Sequence, residues 1–154
     1  MIRIRQATAG DEACVAEIIR ASMLASYAHF LPEHQFRKIL DMDRPARVAR
    51  ENASSFSLAE VGGAPAGALL LKENYVDHLW VRPEFMGLGV GSALLDHAED
   101  RARRAGFGAL TLDCLERNKK ALSFYQTKGF AVERTYVATN YLAGENVRRM
   151  LKPL

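Results

Sequence analysis

Three glycines at alternate positions, Gly87, Gly89 and Gly91, have the spacing in this chain that points most directly to chemistry. Glycine turns the backbone through conformations closed to other residues and lets N–H groups approach a ligand that side chains would obstruct. The run that follows has helical periodicity, and the first four amides of a helix lack internal partners and carry the positive end of its dipole. Such a loop suits a phosphate or diphosphate, although a tight structural turn would use the same residues. Just upstream stand two candidates for proton removal, Asp77 and His78. His78 has the better intrinsic pKa for base work near neutrality. Strand alternation would put Tyr75, Asp77, Leu79 and Val81 on one face and Val76, His78 and Trp80 on the other, so the two could not both point at one substrate. Cys14 and Cys114, far apart in apolar surroundings, read as small core residues rather than a disulfide or a metal pair.

These residues need elements to hold them. Tyr75 to Val81 is apolar and β-branched enough for a strand, and Pro83 ends it. After the glycines, Leu94, Leu95, Ala98, Ala102 and Ala105 recur at helical intervals until Gly106, with Glu99–Arg103 and Asp100–Arg104 expected as ion pairs on the exposed side. The unit is therefore strand, glycine loop, helix. Two familiar phosphate loops do not fit it: Ser92 stands where the dinucleotide fingerprint needs its third glycine, and no Gly-Lys-Ser/Thr occurs.

Upstream, Ile2 to Ala7 alternates as a half-buried strand, and Thr8 precedes a helix striped by Val15, Ile18, Ile19 and Met23 that runs to about Tyr27. Pro32 opens a second helix with Phe36, Ile39 and Leu40 on one side. The connection between them carries Tyr27, His29 and Phe30, candidates for the wall of a substrate site. Asp43 to Asn52 reads as helix tail and loop. Ser55 to Val61, Gly62-Gly63, Pro65 to Lys72 and Glu73-Asn74 spell a hairpin and a short turn into the strand before the glycines. Leu110 to Leu115 is a further strand, parallel to that one because a helix crosses between them. Asn118 to Phe130 reads as an Asn-capped helix with a face of Ala121, Phe124 and Tyr125 and a glycine stop at Gly129. Ala131 to Ala138 and Val147 to Lys152 close the chain as strands.

The strand ending in Val-x-Pro with Met86-Gly87-Leu88-Gly89-Val90-Gly91 resembles the acetyl-CoA motif of the GNAT acyltransferase superfamily, Gln/Arg-x-x-Gly-x-Gly/Ala, with Met86 at the family's polar first position. Asn118-x-x-Ala121-x-x-x-Tyr125-x-x-x-Gly129-Phe130 resembles its second signature, in the same order and at the family's distance. The resemblance implies one domain over residues 1–154. Its fold would be α+β in three layers, with a mixed, mostly antiparallel sheet of about seven strands, helices on both faces and a splay between the fourth and fifth strands.

The resemblance also implies a function, N-acetyl transfer from acetyl-CoA to a primary amine of a small molecule, peptide or protein by direct attack in a ternary complex. Pantetheine would lie in the splay against Leu79, Trp80 and Val81. The amides of Met86, Gly87, Leu88, Gly89, Val90, Gly91 and Ser92 would hold the diphosphate. Asn118, Ala121, Phe124 and Tyr125 would border the cofactor, and Lys119, Lys120 or Lys128 could reach its terminal phosphate. Tyr125 would serve as general acid to the departing sulfur. The base stays open between His78, Asp77 and ordered water. A non-catalytic acyl-CoA sensor and an RNA-directed acetyltransferase are the alternatives on the same fold.

Composition narrows the setting. A chain of 154 residues, 49% apolar and 25% charged, suits one domain with a real core. Its net charge of +3 is mild and does not point to nucleic acid. No apolar run approaches the roughly 20 residues of a membrane span, and no basic-then-apolar leader opens the chain. These features with two unpaired cysteines fit a cytoplasmic protein without metal or membrane partner. The final strands offer edges for a homodimer, which Arg148 and Arg149 could equally blunt.

Overall fold

A computed structural model describes residues 1–154. In chain order the elements are β1 (Ile2–Gln6), α1 (Glu12–Ser26), α2 (Glu33–Asp41), α3 (Arg44–Asn52), β2 (Phe56–Val61), β3 (Ala64–Lys72) and β4 (Tyr75–Val81). They continue with α4 (Val90–Arg104), β5 (Ala109–Leu115), α5 (Lys119–Thr127), β6 (Ala131–Val137) and β7 (Asn146–Pro153). The seven strands form one sheet in the order β1-β2-β3-β4-β5-β7-β6. Every neighbouring pair is antiparallel except β4 with β5, where the helical crossover of α4 forces parallel pairing. No helix is long and apolar enough to cross a membrane.

Two apolar layers sandwich the sheet. Ile18, Ile19 and Met23 of α1 join Ile39 of α2 and Val48 of α3 against Phe56, Leu58 and Leu70 on one face. Leu94, Leu95 and Ala98 of α4 meet Leu69, Leu110, Leu112 and Met150 on the other. The helical stripes and strand alternation of the sequence thus fall where their periods put them.

Three local expectations are corrected. Residues 44–52, expected as a helix tail and loop, form α3. Asp43 adopts a left-handed conformation (φ 47°) that breaks the chain from α2, Pro45 fits the first turn, and Pro45, Val48 and Ala49 are buried at helical spacing. Three exposed or half-buried arginines, Arg44, Arg47 and Arg50, mask that narrow stripe in the sequence.

The second correction concerns β4. Leu70 pairs with His78 but Leu71 pairs with Val76, so Asp77 is the extra residue of a β-bulge. The bulge reverses the alternation below it: Val76 joins Leu79 and Val81 on the α4 side, whereas His78 and Trp80 face the α1 side. Third, Glu99 is not on an exposed face. It is 5% exposed, with Lys152 Nζ of β7 at 2.6 Å and Arg103 at 3.7 Å, and Arg103 also reaches Asp100 at 3.5 Å.

Gly67 on β3 lets α4 settle onto the sheet beside the glycine loop. A Cβ there would stand 2.9 Å from Trp80 O, 2.9 Å from Val90 Cγ1 and 3.0 Å from Leu94 Cδ1. Gly67→Ala is expected to cost about 1–3 kcal/mol by overpacking against a backbone that cannot yield. Urea denaturation reads this as a lower midpoint, and an unchanged midpoint would refute the close approach.

Candidate functional site

Strands β4 and β5 pair only at Tyr75 with Thr111 and Val76 with Leu112, and beyond Val76 they part. Arg82 N–H donates to Ala66 O at 2.8 Å, so by two-residue alternation Trp80 and His78 spend their backbone groups on β3. Leu79 and Val81 therefore turn their N–H and C=O groups into the gap, where β5 supplies no ladder partner. One of these groups is engaged from another direction: Ser22 Oγ of α1 donates to Val81 O. Ser22 is 2% exposed, a hydroxyl set in the apolar stripe of α1 and the sequence signal for this contact.

The glycine loop follows. Pro83–Phe85 make one tight turn in which Met86 N–H donates to Pro83 O at 3.2 Å. Gly87 (φ 78°) and Gly89 (φ 85°) then take left-handed conformations, and Gly89 O accepts Ala93 N–H at 3.0 Å to begin α4. The six N–H groups from Gly87 to Ser92 have no acceptor within the protein. Gly87, Leu88 and Gly89 are exposed. Six free amides, three of them in the first turn of a fifteen-residue helix, make a cradle for an anion of phosphate type.

Helix α5 closes the other side of the gap. Asn118 Oδ1 accepts Ala121 N–H at 3.2 Å and so caps it. A Cβ on Gly91 would lie 3.4 Å from Phe124 Cζ, so the first turn of α4 rests against this aromatic edge. The Tyr125 ring lies 5.3 Å from Phe124 and 5.7 Å from Phe130 between centroids. Burial raises the Tyr125 phenol's pKa above its usual value, with the Cys114 thiol close enough to add to the rise. Burial also pushes the Cys114 thiol up to about 12. Both groups stay protonated at neutral pH. Tyr125 can donate a proton, and Cys114 is not a thiolate nucleophile.

On the α1 side, Tyr27 opens a single tight turn, Tyr27–His29, with its ring 5.2 Å from Phe30 and 5.7 Å from Trp80. Burial raises its phenol's pKa, with Tyr141, Cys114 and Tyr125 contributing. Tyr27 and Trp80, from distant segments, thus meet on this side of the sheet, and Tyr125 packs with Phe124 and Phe130 on the other. His29 is exposed and stays apart. The Phe30 carbonyl accepts from Arg117 Nη1 at 3.4 Å, and Arg117 also pairs with the buried Glu145 at 3.3 Å.

Each candidate base already has a partner. Trp80 Nε1–H donates to His78 Nδ1 at 3.0 Å, so the neutral imidazole carries its proton on Nε2 and spends its other nitrogen on the indole. Asp77, displaced by the bulge, pairs with Lys72 at 3.1 Å. Sequence reasoning missed Ser22, and it also missed Arg44 and Tyr141, which lie far from the motifs along the chain and carry no local signal. No group of three or more His, Cys, Asp or Glu residues is arranged to hold a metal.

His78 has a pH consequence. Burial holds its pKa below the ordinary 6.5, Arg44 and Lys72 add to the depression, and Asp77 opposes it. His97 on α4 is lowered by burial and by Arg101. The unfolded chain therefore binds more protons than the folded one as pH drops below about 6.5, so stability is full above that value and falls beneath it. The carboxylates with depressed pKa values, Asp11 and Asp113, act only in a lower window, below about 4. Denaturation midpoints measured from pH 7 to 5 should decline in the wild type and decline less in His78→Gln. An equal decline in both would show that His78 does not titrate as its burial requires.

Comparison with known proteins agrees with this geometry. A model of the "Acetyltransferase (GNAT) family" matches residues 16–130. The peptidyl-lysine N-acetyltransferase YjaB of Escherichia coli is 37% identical over 68 residues, 44% of this chain and 43% of that protein. The ribosomal protein bS18-alanine N-acetyltransferase of Escherichia coli is 30% identical over 95 residues, 58% of this chain and 64% of that one. The match thus spans about half the length of these curated relatives. Among solved structures, a GCN5-related N-acetyltransferase from Rhodopseudomonas palustris superposes with a TM-score of 0.83 at 24% identity, covering 99% of this chain and 95% of that one. The PaiA N-acetyltransferase of Thermoplasma acidophilum, solved in complex with coenzyme A, gives 0.79 at 21% identity over 100% and 99%. At such identities the structures speak for the fold: a seven-stranded mixed sheet that opens at its one parallel pair. With the family match covering most of its length, the chain belongs to the GNAT acetyltransferase family.

Proposed function

We propose that this protein is an N-acetyltransferase that moves an acetyl group from acetyl-CoA to a primary amine of a small molecule, peptide or protein, with both substrates bound together. The observation that carries the proposal is the row of six unpartnered amides from Gly87 to Ser92 beside a strand whose outer edge is free at Leu79 and Val81. When bound, acetyl-CoA supplies an acetyl thioester, an electrophile whose sulfur is the leaving group.

The residues divide the work. Amides of Gly87, Leu88, Gly89, Val90, Gly91 and Ser92 hold the diphosphate. The free backbone groups of Leu79 and Val81 hydrogen-bond the amide arm as an added strand would, with the Val81 carbonyl also held by Ser22. The Leu79 N–H stabilises negative charge on the thioester oxygen. Tyr125 donates its phenolic proton to the departing sulfur. Lys119 and Lys120, exposed at the start of α5, and Lys128 at its end serve the terminal phosphate. Because His78 and Asp77 are engaged elsewhere, the amine's proton leaves through water at the cleft mouth. That step is needed because an amine of pKa about 10.4 is neutral in only about one molecule in 2,500 at pH 7. Most of the acceleration then comes from orientation.

Calorimetry of coenzyme A binding, followed by acetylation of an amine panel, tests the reading. Failure of the folded chain to bind coenzyme A would overturn it. Binding without acetylation of any amine would favour an acyl-CoA sensor. The proposal extends to a homodimer formed through the outer edge of β6, where Val137 is 58% exposed, and sedimentation as a monomer at working concentration would remove that part.

A further inference from the structure

Arg44, the first residue of α3, lays its guanidinium 4.3 Å from the centre of the Tyr141 ring. It is half-buried and makes no ion pair: Asp43 is committed to Arg20 and Glu51 to Arg47, and Asp41 does not reach it. Its face is stacked, and its N–H edge donates to no protein group. A guanidinium held flat by an aromatic ring with its donor fork unspent is pre-organised for a planar anion.

Its position ties it to the gap. Tyr141 packs against the same apolar cluster as Tyr27, Phe30 and Trp80, and Arg44 stacked on it is close enough to His78 for its charge to act on the imidazole. Tyr27 in turn contacts Trp80. The cation thus stands on the wall where the amine must enter. An unpaired positive charge there repels an ammonium unless the same molecule brings a negative charge of its own.

We propose that the acceptor is a small amine that also carries a carboxylate, an amino-acid-type molecule whose carboxylate is gripped by Arg44. This rests on the acetyltransferase reading and narrows its acceptor. A carboxylate fits better than a phosphate because its single charge and planar pair of oxygens match one fork. A phosphate dianion would call for a second cation, and the other cations of this region are paired, Arg20 with Asp43, Lys72 with Asp77 and Arg117 with Glu145.

The test uses straight-chain ω-amino acids from glycine to aminocaproate, each against its carboxamide, with release of free coenzyme A thiol as the readout. At the preferred chain length the acid should exceed its amide in kcat/KM by about tenfold or more. Arg44→Gln should bring the acid down to the level of the amide, and Arg44→Lys, which keeps the charge without the fork, should recover part of the preference. A second arm does not depend on turnover. The N-acetylated acids and amides are titrated against the fluorescence of Trp80, the chain's one tryptophan, in wild type and in variants whose circular dichroism is unchanged.

Tighter binding of the acids in wild type, lost in Arg44→Gln, supports the proposal. Equal binding of acid and amide in wild type, or a preference that survives Arg44→Gln, overturns it. If no amine is acetylated the acetyltransferase reading fails, while the fluorescence titration still decides the role of Arg44.

Discussion

Tyr125→Phe is expected to lower kcat about a hundredfold while the affinity for acetyl-CoA stays within about twofold. The phenol sits at the junction of the gap and α5, it has no hydrogen-bond acceptor in the protein, and burial keeps it protonated well beyond neutral pH. It is thus an acid held in reserve for a group that arrives with the substrate. The substituted ring keeps its contacts with Phe124 and Phe130, so stability should change by no more than about 1 kcal/mol. Because the phenol's pKa is raised, the wild-type kcat/KM profile should climb with pH as the amine loses its proton, without an alkaline fall near the ordinary tyrosine value of about 10. Steady-state kinetics with calorimetry of coenzyme A separates the two quantities. A variant with wild-type kcat would remove Tyr125 from the chemistry.

Gly89→Val should raise the dissociation constant of coenzyme A about tenfold or more. At φ 85° a β-branched residue pays roughly 1–2 kcal/mol of backbone strain, and relief of that strain re-aims the amides that Gly89 caps. No heavy atom lies within 4 Å of an added Cβ at this position, so the loss does not come from a clash within the fold. Gly62→Val is the matching control. Gly62 has φ 58° in the β2–β3 turn, with equally open surroundings and outside the row of free amides. Both variants should lose a few degrees of melting temperature. Only Gly89→Val should lose affinity, and equal affinity in the two would sink the anion-cradle assignment.

Much of this site was legible because its parts are local. The loop from Met86 to Ser92 is contiguous, and the chemistry of glycine and of a helix start depends on neighbours a few residues away. Asn118 as a cap and the Phe124–Tyr125 face of α5 are likewise properties of one short segment. The parallel setting of β4 and β5 followed from the helix between them. The buried faces of the helices were legible for the same reason, since apolar periodicity reports them, while the seven-stranded plan with its splay came from the family resemblance.

What failed involved partners distant in sequence. Strict alternation misplaced Val76 because the Asp77 bulge arises from pairing with β3, which no window on β4 contains. Glu99 looked exposed until β7 brought Lys152 to it. Ser22, Arg44 and Tyr141 gain their meaning from Val81, from each other and from the cleft they border.

The sequence by itself determined the strand, the glycine turn and the two capped helices, because backbone conformation and helix-end amides answer to residues within a turn or two. Tertiary structure alone decided which polar groups remain free at the gap between β4 and β5. A hydrogen bond or ion pair needs both partners in place, and only the folded sheet brings residues so far apart along the chain within 3 Å of one another.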